Sequence, residues 1–391
     1  MGKVVVVGSG FSGAVLAREI AEKLNKKVLV IEKRPQIAGN MYDELDEHGI
    51  RIQKYGPHVL VTNAWKVISY LSRFSEMVKH VVKEISIIDG QYVRLPFNFE
   101  SVQQMVGFER SEVVINKMRK LFPGRDRVPV QELCCCDDAD VRDFANLLFE
   151  KSFRTYCAKQ WGIDPEKLDS TIMGRSAFAM GYDERYMNKD FQFLPKHGFT
   201  AMFEKMLDHP NIEVRLNVDA MDGLWLDSGT HSISYAGEPV ELLVYTGALD
   251  ELFREKYGEL PYRALDITYE WFDAEKKYPE KIISCPQAEG YTRMTEYKFF
   301  MEDWSHIHGT VIATEYPSAY VKGKSIAPFY PVITEETKAR YTKYLQEAAD
   351  YPNLYLCGRL AEFRYYNMDD CILHAFDIFE QIQEKYTEEK Q

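Results

Sequence analysis

The stretch VVVVGSGFSG constrains the fold of this 391-residue chain more than any other part of the sequence. Val4–Val7 predicts a buried parallel strand, and residues 14–24 predict a helix that begins with small and apolar side chains. Between them, Gly8, Gly10 and Gly13 have the spacing of a dinucleotide-binding turn, in which the helix N-terminus faces a pyrophosphate. The alternative is a glycine-rich turn in an α/β domain that binds no such ligand.

A second apolar segment favours the dinucleotide interpretation. Val28–Ile31 runs into Glu32, nineteen residues after Gly13, where an acidic side chain can bind ribose hydroxyls. The following segment, KRPQIAGNMYDE, is typical of flavoproteins rather than of simple nicotinamide domains. Near the other end of the chain, NLYLCGR (353–359) predicts another buried strand. The final helix is predicted to begin near Asn367 or Met368, where its N-terminus would suit an anionic reduced flavin.

Length and charge limit the class of protein. A chain of 391 residues exceeds one comfortable core, so we expect two or three structural units. The formal net charge of −12, from 48 basic and 60 acidic residues, argues against nucleic-acid binding and against an anionic membrane surface. The seven cysteines form no CxxC pair, which indicates a reducing, cytoplasmic location and no metal site. No apolar run approaches membrane-spanning length, so we expect no membrane insertion.

Several separated stretches carry a family resemblance. They are VVGSGFSGAV with VIEKR, GN-x-YDE, KYGPH (54–58), LPFN (95–98), YCAKQWG (156–162), LPYRAL (260–265), YTR (291–293), TEYP (314–317) and GRLAEFRYYNMD (358–369). With these motifs in this order, the chain resembles the UDP-galactopyranose mutases, flavoenzymes that interconvert the pyranose and furanose forms of UDP-galactose. The first two stretches are shared with many flavoproteins, whereas the later ones are much more specific.

The resemblance implies an α/β fold with a Rossmann-like FAD-binding domain, an inserted helical domain and a twisted antiparallel β-sheet domain. We expect the FAD domain to comprise residues 1–78, 205–250 and 350–391. The helical insertion is expected at 100–190, with a mobile substrate loop near 170–188. The sheet domain is expected from 79–99, 191–204 and 251–349. The residues agree independently, since 101–190 is charged and helix-like, whereas 262–316 contains β-rich runs.

The resemblance also implies a reaction in which N5 of reduced FAD attacks the anomeric carbon and UDP leaves, without net redox change. The implied partners are a nucleotide sugar of the UDP-galactose class and an external reductant, such as NAD(P)H or a reduced flavin or redox protein. A homodimer is also implied. Cofactor contacts are assigned to Gly8, Gly10, Phe11, Ser12, Gly13, Glu32, Lys33, Gly39, Asn40, His58, Val218, Gly358, Arg359 and Met368.

A departing diphosphate requires a cationic group, and arginine pairs bidentately with phosphate while keeping its proton. The resemblance assigns this role to Arg293 and to Arg175 of the loop, and it places His58 against the reactive edge of the flavin. An ordinary surface arginine and a buried core histidine are the alternatives. Substrate contacts are assigned to Tyr156, Trp161, Tyr186, Tyr316, Tyr365, Asn367 and Asn98.

Three positions depart from the family pattern. Ala179 stands four residues after Arg175, where a second arginine is usual; Val61 replaces a histidine, and Asn367 replaces an aspartate. One alternative is therefore a mutase in which another cation, Arg185, Lys189 or Lys196, serves the loop. Others are a mutase for a related nucleotide sugar, such as UDP-N-acetylgalactosamine or a deoxy-sugar nucleotide, and a weakly active relative that binds nucleotide sugars. An amine-oxidase-type flavin oxidoreductase shares the N-terminal glycine motif and is a further alternative.

Overall fold

The computed structural model describes residues 2–163, 177–325 and 327–388 of the chain. Within these ranges the strands are β1 Lys3–Val7, β2 Val28–Ile31, β3 Asp43–Leu45, β4 Arg51–Gln53, β5 Leu60–Thr62, β6 Met77–Lys79, β7 Glu84–Ile88, β8 Gln91–Leu95, β9 Arg127–Pro129, β10 Ala177–Ala179, β11 Phe191–Pro195, β12 Ile212–Arg215, β13 Leu224–Asp227, β14 Ser232–Tyr235, β15 Glu238–Tyr245, β16 Tyr262–Phe272, β17 Ile282–Ser284, β18 Arg293–Glu296, β19 Thr310–Ala319, β20 Tyr330–Pro331 and β21 Leu354–Leu356. The helices are α1 Phe11–Lys23, α2 Trp65–Leu71, α3 Phe99–Val106, α4 Phe108–Leu121, α5 Val130–Cys134, α6 Ala139–Leu148, α7 Thr155–Trp161, α8 Gly198–Leu207, α9 Leu249–Leu252, α10 Glu335–Ala348 and α11 Met368–Glu388.

A seven-stranded sheet contains the N-terminal strand, in the order β12-β2-β1-β15-β14-β13 with β21 paired to β15. β1 pairs in parallel with β2 and β15, and β12 and β21 extend the parallel part. The valine run suits this central position because β-branched side chains favour strands and both faces of β1 are buried in apolar clusters. These five parallel strands end at one edge of the sheet.

The glycine turn joins β1 to α1, which packs on the sheet beside α8 and α11. A Cβ atom at Gly13 would lie 2.0 Å from the carbonyl oxygen of Gly8, so only glycine allows the helix to approach the turn this closely. Gly8 itself has a φ of +96°, a conformation that side chains disfavour. The predicted strand, glycine turn and helix are therefore confirmed.

A second seven-stranded sheet has the order β20-β16-β19-β18-β17-β7-β8. Its neighbours are antiparallel except for β17 and β7, which run in parallel. The long strands β16 and β19 pair from Arg263↔Ala319 to Phe272↔Thr310, which gives the sheet its length. A smaller antiparallel sheet, β5-β11-β6, connects segments near residues 60, 78 and 193.

Helices α3 to α7 lie between β8 and β11 and include a π-helical turn at Phe149–Arg154. They share a core of their own, to which Val128 of β9 and Phe178 of β10 contribute. The α/β fold class with a Rossmann-like domain, a helical insertion and a largely antiparallel sheet is thus confirmed. The domain boundaries remain predictions, and α8 and the β5-β11-β6 sheet each span one of them.

Candidate active site

A cleft opens at the edge of the first sheet where its parallel strands end. Ligands of open α/β sheets bind outside the carboxyl ends of the strands, so this is the expected position for a dinucleotide. Every residue that the sequence assigned to the cofactor lines the cleft, namely Gly8, Gly10, Phe11, Ser12, Gly13, Glu32, Lys33, Gly39, Asn40, His58, Val218, Gly358, Arg359 and Met368. Asn367, which was assigned to the substrate, lines it as well.

The N-terminus of α1 points its backbone N–H groups toward this cleft. Gly10 is the N-cap residue, and no side chain caps the helix. The first N–H groups of a helix need partners, and the helix dipole makes an anion the favoured one. The glycine turn can therefore hold a pyrophosphate.

Glu32 is held in place at the end of β2. Its Oε2 accepts the Ser9 N–H at 3.0 Å and the Ser9 hydroxyl at 2.7 Å, and its Oε1 accepts the Arg34 N–H at 3.0 Å. A carboxylate can accept about four hydrogen bonds, and Glu32 already accepts these three. Oε1 can therefore accept one more, from a ribose hydroxyl.

Two arginines of the cleft are not paired with a carboxylate among the described residues. Arg34 donates from Nη2 to Asn40 Oδ1 at 2.9 Å, while its Nη1 is buried without a hydrogen-bond partner. Arg359 donates to the carbonyl oxygens of Phe329 and Tyr366, at 3.3 and 2.6 Å. The unpartnered Nη1 of Arg34 and the lack of a carboxylate partner for either guanidinium group within the described ranges indicate an anionic ligand, so the cleft fits the phosphates of a dinucleotide.

His58 lines the cleft and has a defined tautomer. Its Nδ1 lies 2.8 Å from the carbonyl oxygen of Gly56, an acceptor, so Nδ1 carries the proton and Nε2 is left as an acceptor. Burial, assisted by the positive charges of Arg359 and Arg293, lowers the pKa of His58 to about 3. The imidazole is therefore neutral at physiological pH.

Arg293 projects from β18 and forms a bidentate ion pair with Glu315 of β19. Its Nε and Nη2 each donate to one Glu315 carboxylate oxygen at 2.8 Å. Burial favours the neutral guanidine, yet Glu315 and Tyr156 raise the pKa of Arg293 well above its ordinary value. The side chain of Arg293 is 23% exposed and that of Glu315 only 2%, so the guanidinium is the group that a ligand can reach.

Helix α7 brings Tyr156 to the same place. Burial raises the pKa of Tyr156 well above its ordinary value, so its hydroxyl stays a hydrogen-bond donor. Trp161 at the end of this helix is buried and makes an edge contact with Tyr330 at 5.8 Å. This places Trp161 in the apolar core beneath the site.

Two cations that sequence reasoning missed fix the position of α7. Lys159 Nζ donates to the carbonyl oxygens of Cys285, Ala288 and Tyr291, each at 2.7 Å. Arg263 donates to the carbonyl oxygens of Gln160 and Lys159 at 2.8 and 2.9 Å, which satisfies the C-terminal end of the helix. Both belong to quoted motifs, but no local pattern reveals these long-range bonds.

The other predicted substrate residues occupy different positions. Tyr186 and Tyr316 are 45% and 37% exposed, and Tyr365 stacks on Tyr330 at 5.7 Å. Asn98 has no exposed surface: its Oδ1 caps α3 by accepting the Ser101 N–H, and its Nδ2 donates to the Asp183 carbonyl oxygen. This placement argues against direct contact between Asn98 and substrate. Arg175 lies outside the described residues.

The three cations considered as replacements for the missing loop arginine are all paired. Arg185 binds Asp183 at 2.7 Å, Lys189 binds Asp369 at 2.8 Å, and Lys196 binds Glu76 at 2.8 Å.

A different arginine lies beside Ala179. Arg127 is its direct partner in the β9–β10 pair, so the two side chains share a face. Its guanidinium contacts the Arg185 carbonyl oxygen at 3.4 Å and has no ion pair with any described residue. Asp183 and Tyr186 also lie within electrostatic reach of Arg127.

One group of possible metal ligands occurs among the described residues. The ligand atoms of Cys357, Glu362 and His374 lie within 4.8 Å of one another. Glu362 already accepts the Gly358 N–H at 2.7 Å and the Tyr366 hydroxyl at 2.9 Å, and it lies 2.9 Å from His374 Nε2. These bonds account for the cluster, because they hold the segment from Gly358 to Tyr366 against the last helix at the wall of the cleft. In the part of the chain that the structure describes, no helix has the length and apolar character needed to cross a bilayer.

Comparisons with known proteins agree with the geometry. A family model described as UDP-galactopyranose mutase matches residues 151–365, and one described as an NAD(P)-binding Rossmann-like domain matches residues 6–74. A Mycoplasma pneumoniae protein named UDP-galactopyranose mutase is 30% identical over 384 residues, with 97% of this chain and 95% of the relative covered. An Escherichia coli protein named dTDP-fucopyranose mutase is 30% identical over 380 residues, covering 96% and 97%.

Among solved structures, a crystal structure of reduced UDP-galactopyranose mutase matches with a TM-score of 0.72 at 13% identity, covering 98% of this chain and 94% of that one. A putative protoporphyrinogen oxidase from Exiguobacterium matches with a TM-score of 0.65, also at 13% identity, covering 98% and 99%. At this identity the two structural matches establish only that this chain has the same fold as those proteins. The family model covers more than half of the chain and spans both the helix of Tyr156 and the strand of Arg293, and for this reason the chain belongs to the UDP-galactopyranose mutase family of isomerases.

Proposed function

We propose that this chain is a FAD-dependent isomerase that interconverts UDP-galactopyranose and UDP-galactofuranose without net redox change. One observation carries the proposal: His58, which lines the dinucleotide cleft, also lies within electrostatic reach of Arg293 on the second sheet. A cofactor site and an anion-binding arginine therefore meet at one histidine. Membership in the mutase family supports the same conclusion.

The residues present fit FAD. The α1 N-terminus, Arg34 and Arg359 would hold its phosphates, and Glu32 would hold a ribose. Reduced FAD, when bound, supplies the nucleophilic nitrogen for the anomeric carbon. His58 keeps a neutral Nε2 as a hydrogen-bond acceptor in the cleft.

The second sheet and α7 would serve the leaving group. Arg293 offers a fixed guanidinium fork to the departing diphosphate, and its buried setting makes that interaction strong. Tyr156 stays protonated and can donate a hydrogen bond to a phosphate oxygen. In this proposal an external reductant keeps the cofactor reduced, and two chains form a homodimer.

A second candidate is a mutase for a deoxy-sugar nucleotide. The E. coli relative named dTDP-fucopyranose mutase is as similar to this chain as the M. pneumoniae relative is, with 30% identity to each. The two substrates differ at the methyl group of the base, at the 2′-hydroxyl of the pentose and at one substituent of the hexose, a difference that a few contacts decide.

An anaerobic assay tests both candidates. The purified protein, reduced with dithionite, is given UDP-galactofuranose and dTDP-fucofuranose in parallel, with the oxidised protein as control, and products are separated by chromatography. The released cofactor is identified as FAD, FMN or NAD after acid precipitation. Conversion of UDP-galactofuranose only by the reduced protein supports the first candidate, and preference for the dTDP sugar supports the second. Lack of conversion of either sugar, or a cofactor other than FAD, contradicts the proposal.

A further inference from the structure

One face of the second sheet carries a row of polar side chains beside Arg293. Directly paired residues of neighbouring strands project to the same face, and the pairing runs from Ser86 to Ser284, then to Arg293 and to Glu315. Glu84 lies two residues before Ser86 on β7 and therefore projects to this face too. The opposite face is apolar and packs through Ile85, Ile283, Met294 and Ile312.

Glu84 is an unusual member of this row because it is 5% exposed and forms no ion pair within the described part of the chain. Arg293, the cation of the face, gives its bidentate bonds to Glu315. Burial raises the pKa of Glu84 to about 7, with Glu315 adding to this rise and Arg293 opposing it. Tyr156 from α7 and the Cys285 thiol after β17 are the other titratable groups within reach of Glu84.

The same face has polar atoms without protein partners. Ser86 Oγ and Thr295 Oγ1 are both fully buried and make no hydrogen bond. Thr295 pairs with Ile282, which pairs with Glu84, so all three share the face. Buried polar groups are nearly always bonded, so these hydroxyls leave hydrogen-bonding capacity on the face of Arg293 that the described side chains do not use.

The charges of this face do not suit an anion while Glu84 is ionised. Glu315 already neutralises Arg293, so an ionised Glu84 leaves one negative charge in excess. The diphosphate of a nucleotide sugar brings two more negative charges. Like charges in a buried site raise the pKa of a carboxyl group, which means that a bound diphosphate favours the protonated form of Glu84.

We propose that Glu84 is a proton-accepting part of the diphosphate site, which takes up one proton from solvent at this carboxylate when a nucleotide sugar binds. This inference rests on the proposed function, since it requires a diphosphate ligand next to Arg293. The proton converts the carboxylate to a neutral acid that can donate a hydrogen bond to a phosphate oxygen. Glu84 thereby couples substrate affinity to pH.

The way in which affinity changes with pH follows from the ionisation of Glu84 in the protein without ligand. At a pH well below 7 Glu84 is already protonated, and affinity is independent of pH. Above that value Glu84 must take up one proton from solvent for each ligand that binds, and affinity falls by about tenfold per pH unit. Between about pH 6 and pH 8.5 the expected loss of affinity is about 30-fold.

Isothermal titration calorimetry with UDP-galactose and the oxidised protein tests the inference. The charge of this diester diphosphate is constant over the tested range, so a proton taken up belongs to the protein. Titrations at about pH 8 in two buffers of different ionisation enthalpy give the number of protons. We expect about one proton for the unmodified chain and none for Glu84→Gln, whose affinity stays independent of pH. Glu270→Gln, on an exposed position of β16, is the matched control and should behave like the unmodified chain.

The outcomes separate the two proposals. Binding of UDP-galactose without proton uptake, or with uptake that persists in Glu84→Gln, overturns the role of Glu84 and leaves the proposed function standing. Failure of UDP-galactose and dTDP sugars to bind at any pH overturns both. If Glu84→Gln does not fold, the proton count of the unmodified chain decides, since a value near zero at about pH 8 contradicts the inference.

Discussion

Gln53 holds His58 by both of its backbone groups. The Gln53 Nε2 donates to the His58 carbonyl oxygen at 3.0 Å, while its Oε1 accepts the His58 N–H. The hydroxyls of Tyr269 and Tyr297 donate to the Gln53 carbonyl oxygen at 2.9 and 3.0 Å. The histidine at the cofactor cleft is thus positioned by a glutamine that is itself held by Tyr269 of β16 and by Tyr297, which follows β18.

Replacing Gln53 should disturb His58 without removing it. We expect Gln53→Ala to lower the turnover number on the order of 10- to 100-fold, because small displacements of a group beside the reacting atoms are costly. The pH dependence of the bound-cofactor absorbance should change in the same variant. Gln91→Ala, at an exposed position of β8, serves as the control and should leave both unchanged. Normal turnover in Gln53→Ala would show that His58 keeps its place without this bond.

Arg293 should be essential for turnover and also important for stability. Arg293→Met is expected to reduce turnover by about 10²- to 10³-fold, because a positioned cation for the leaving group is lost. It also leaves Glu315 buried without its partner, which costs about 3–5 kcal/mol. The double variant Arg293→Met with Glu315→Gln should recover much of the melting temperature but none of the activity. Recovery of activity in the double variant would contradict the assignment of Arg293.

Arg127 should bind an anion beside Ala179. It is a half-buried guanidinium without an ion pair among the described residues, and Arg127→Ala is expected to lower kcat/KM by about 10- to 100-fold. Arg125→Ala is the matched control, since Arg125 is exposed and pairs with Glu132. Unchanged kcat/KM in Arg127→Ala would show that Arg127 does not take the place of the arginine missing at position 179.

Ala179→Arg should not restore a missing function in this chain. Ala179 is 4% exposed and directly opposite Arg127, so the new arginine would place two positive charges side by side. We expect a lower melting temperature and no gain in turnover. An increase in turnover would show that the second loop arginine of the family is what this chain lacks.

His58 should remain neutral far below the ordinary pKa of histidine. Its folded-state pKa of about 3 lies below the ordinary 6.5, so its contribution to stability is complete above about pH 6.5 and is lost as the pH falls toward 3. In ¹⁵N-histidine spectra, His58 should show a protonated Nδ1 and a bare Nε2 down to about pH 5. His58→Gln identifies the signal, and His231 serves as an exposed reference. A midpoint near pH 6.5 for His58 would contradict the buried, neutral state.

The cofactor cleft was predictable because its signals are local. The glycine turn, the strand that ends in Glu32 and the start of the last helix each depend on residues close in sequence, and the helix begins at Met368 as expected. All fourteen assigned residues therefore line one cleft. Arg34, which follows Glu32 by two residues, could have been added from the same segment.

The substrate side was harder to predict because its geometry depends on pairing between distant strands. Glu84 and Arg293 are brought together only through the register of β7, β17 and β18, and Arg127 meets Ala179 only through β9 and β10. No sequence spacing contains this information. Asn98 illustrates the converse, since its residue type within a family motif suggested a ligand contact, whereas its side chain caps a helix.

The order of the strands in the first sheet also has a consequence for synthesis on the ribosome. β1 emerges long before its neighbour β15, which begins at Glu238, and before residues 358–371, which form the opposite wall of the cleft. The nascent chain thus carries β1 with only one of its two neighbouring strands, β2, during the translation of more than two hundred residues. The cofactor can then bind only late in synthesis. We expect the yield of folded protein to depend on how well chaperones shield this strand.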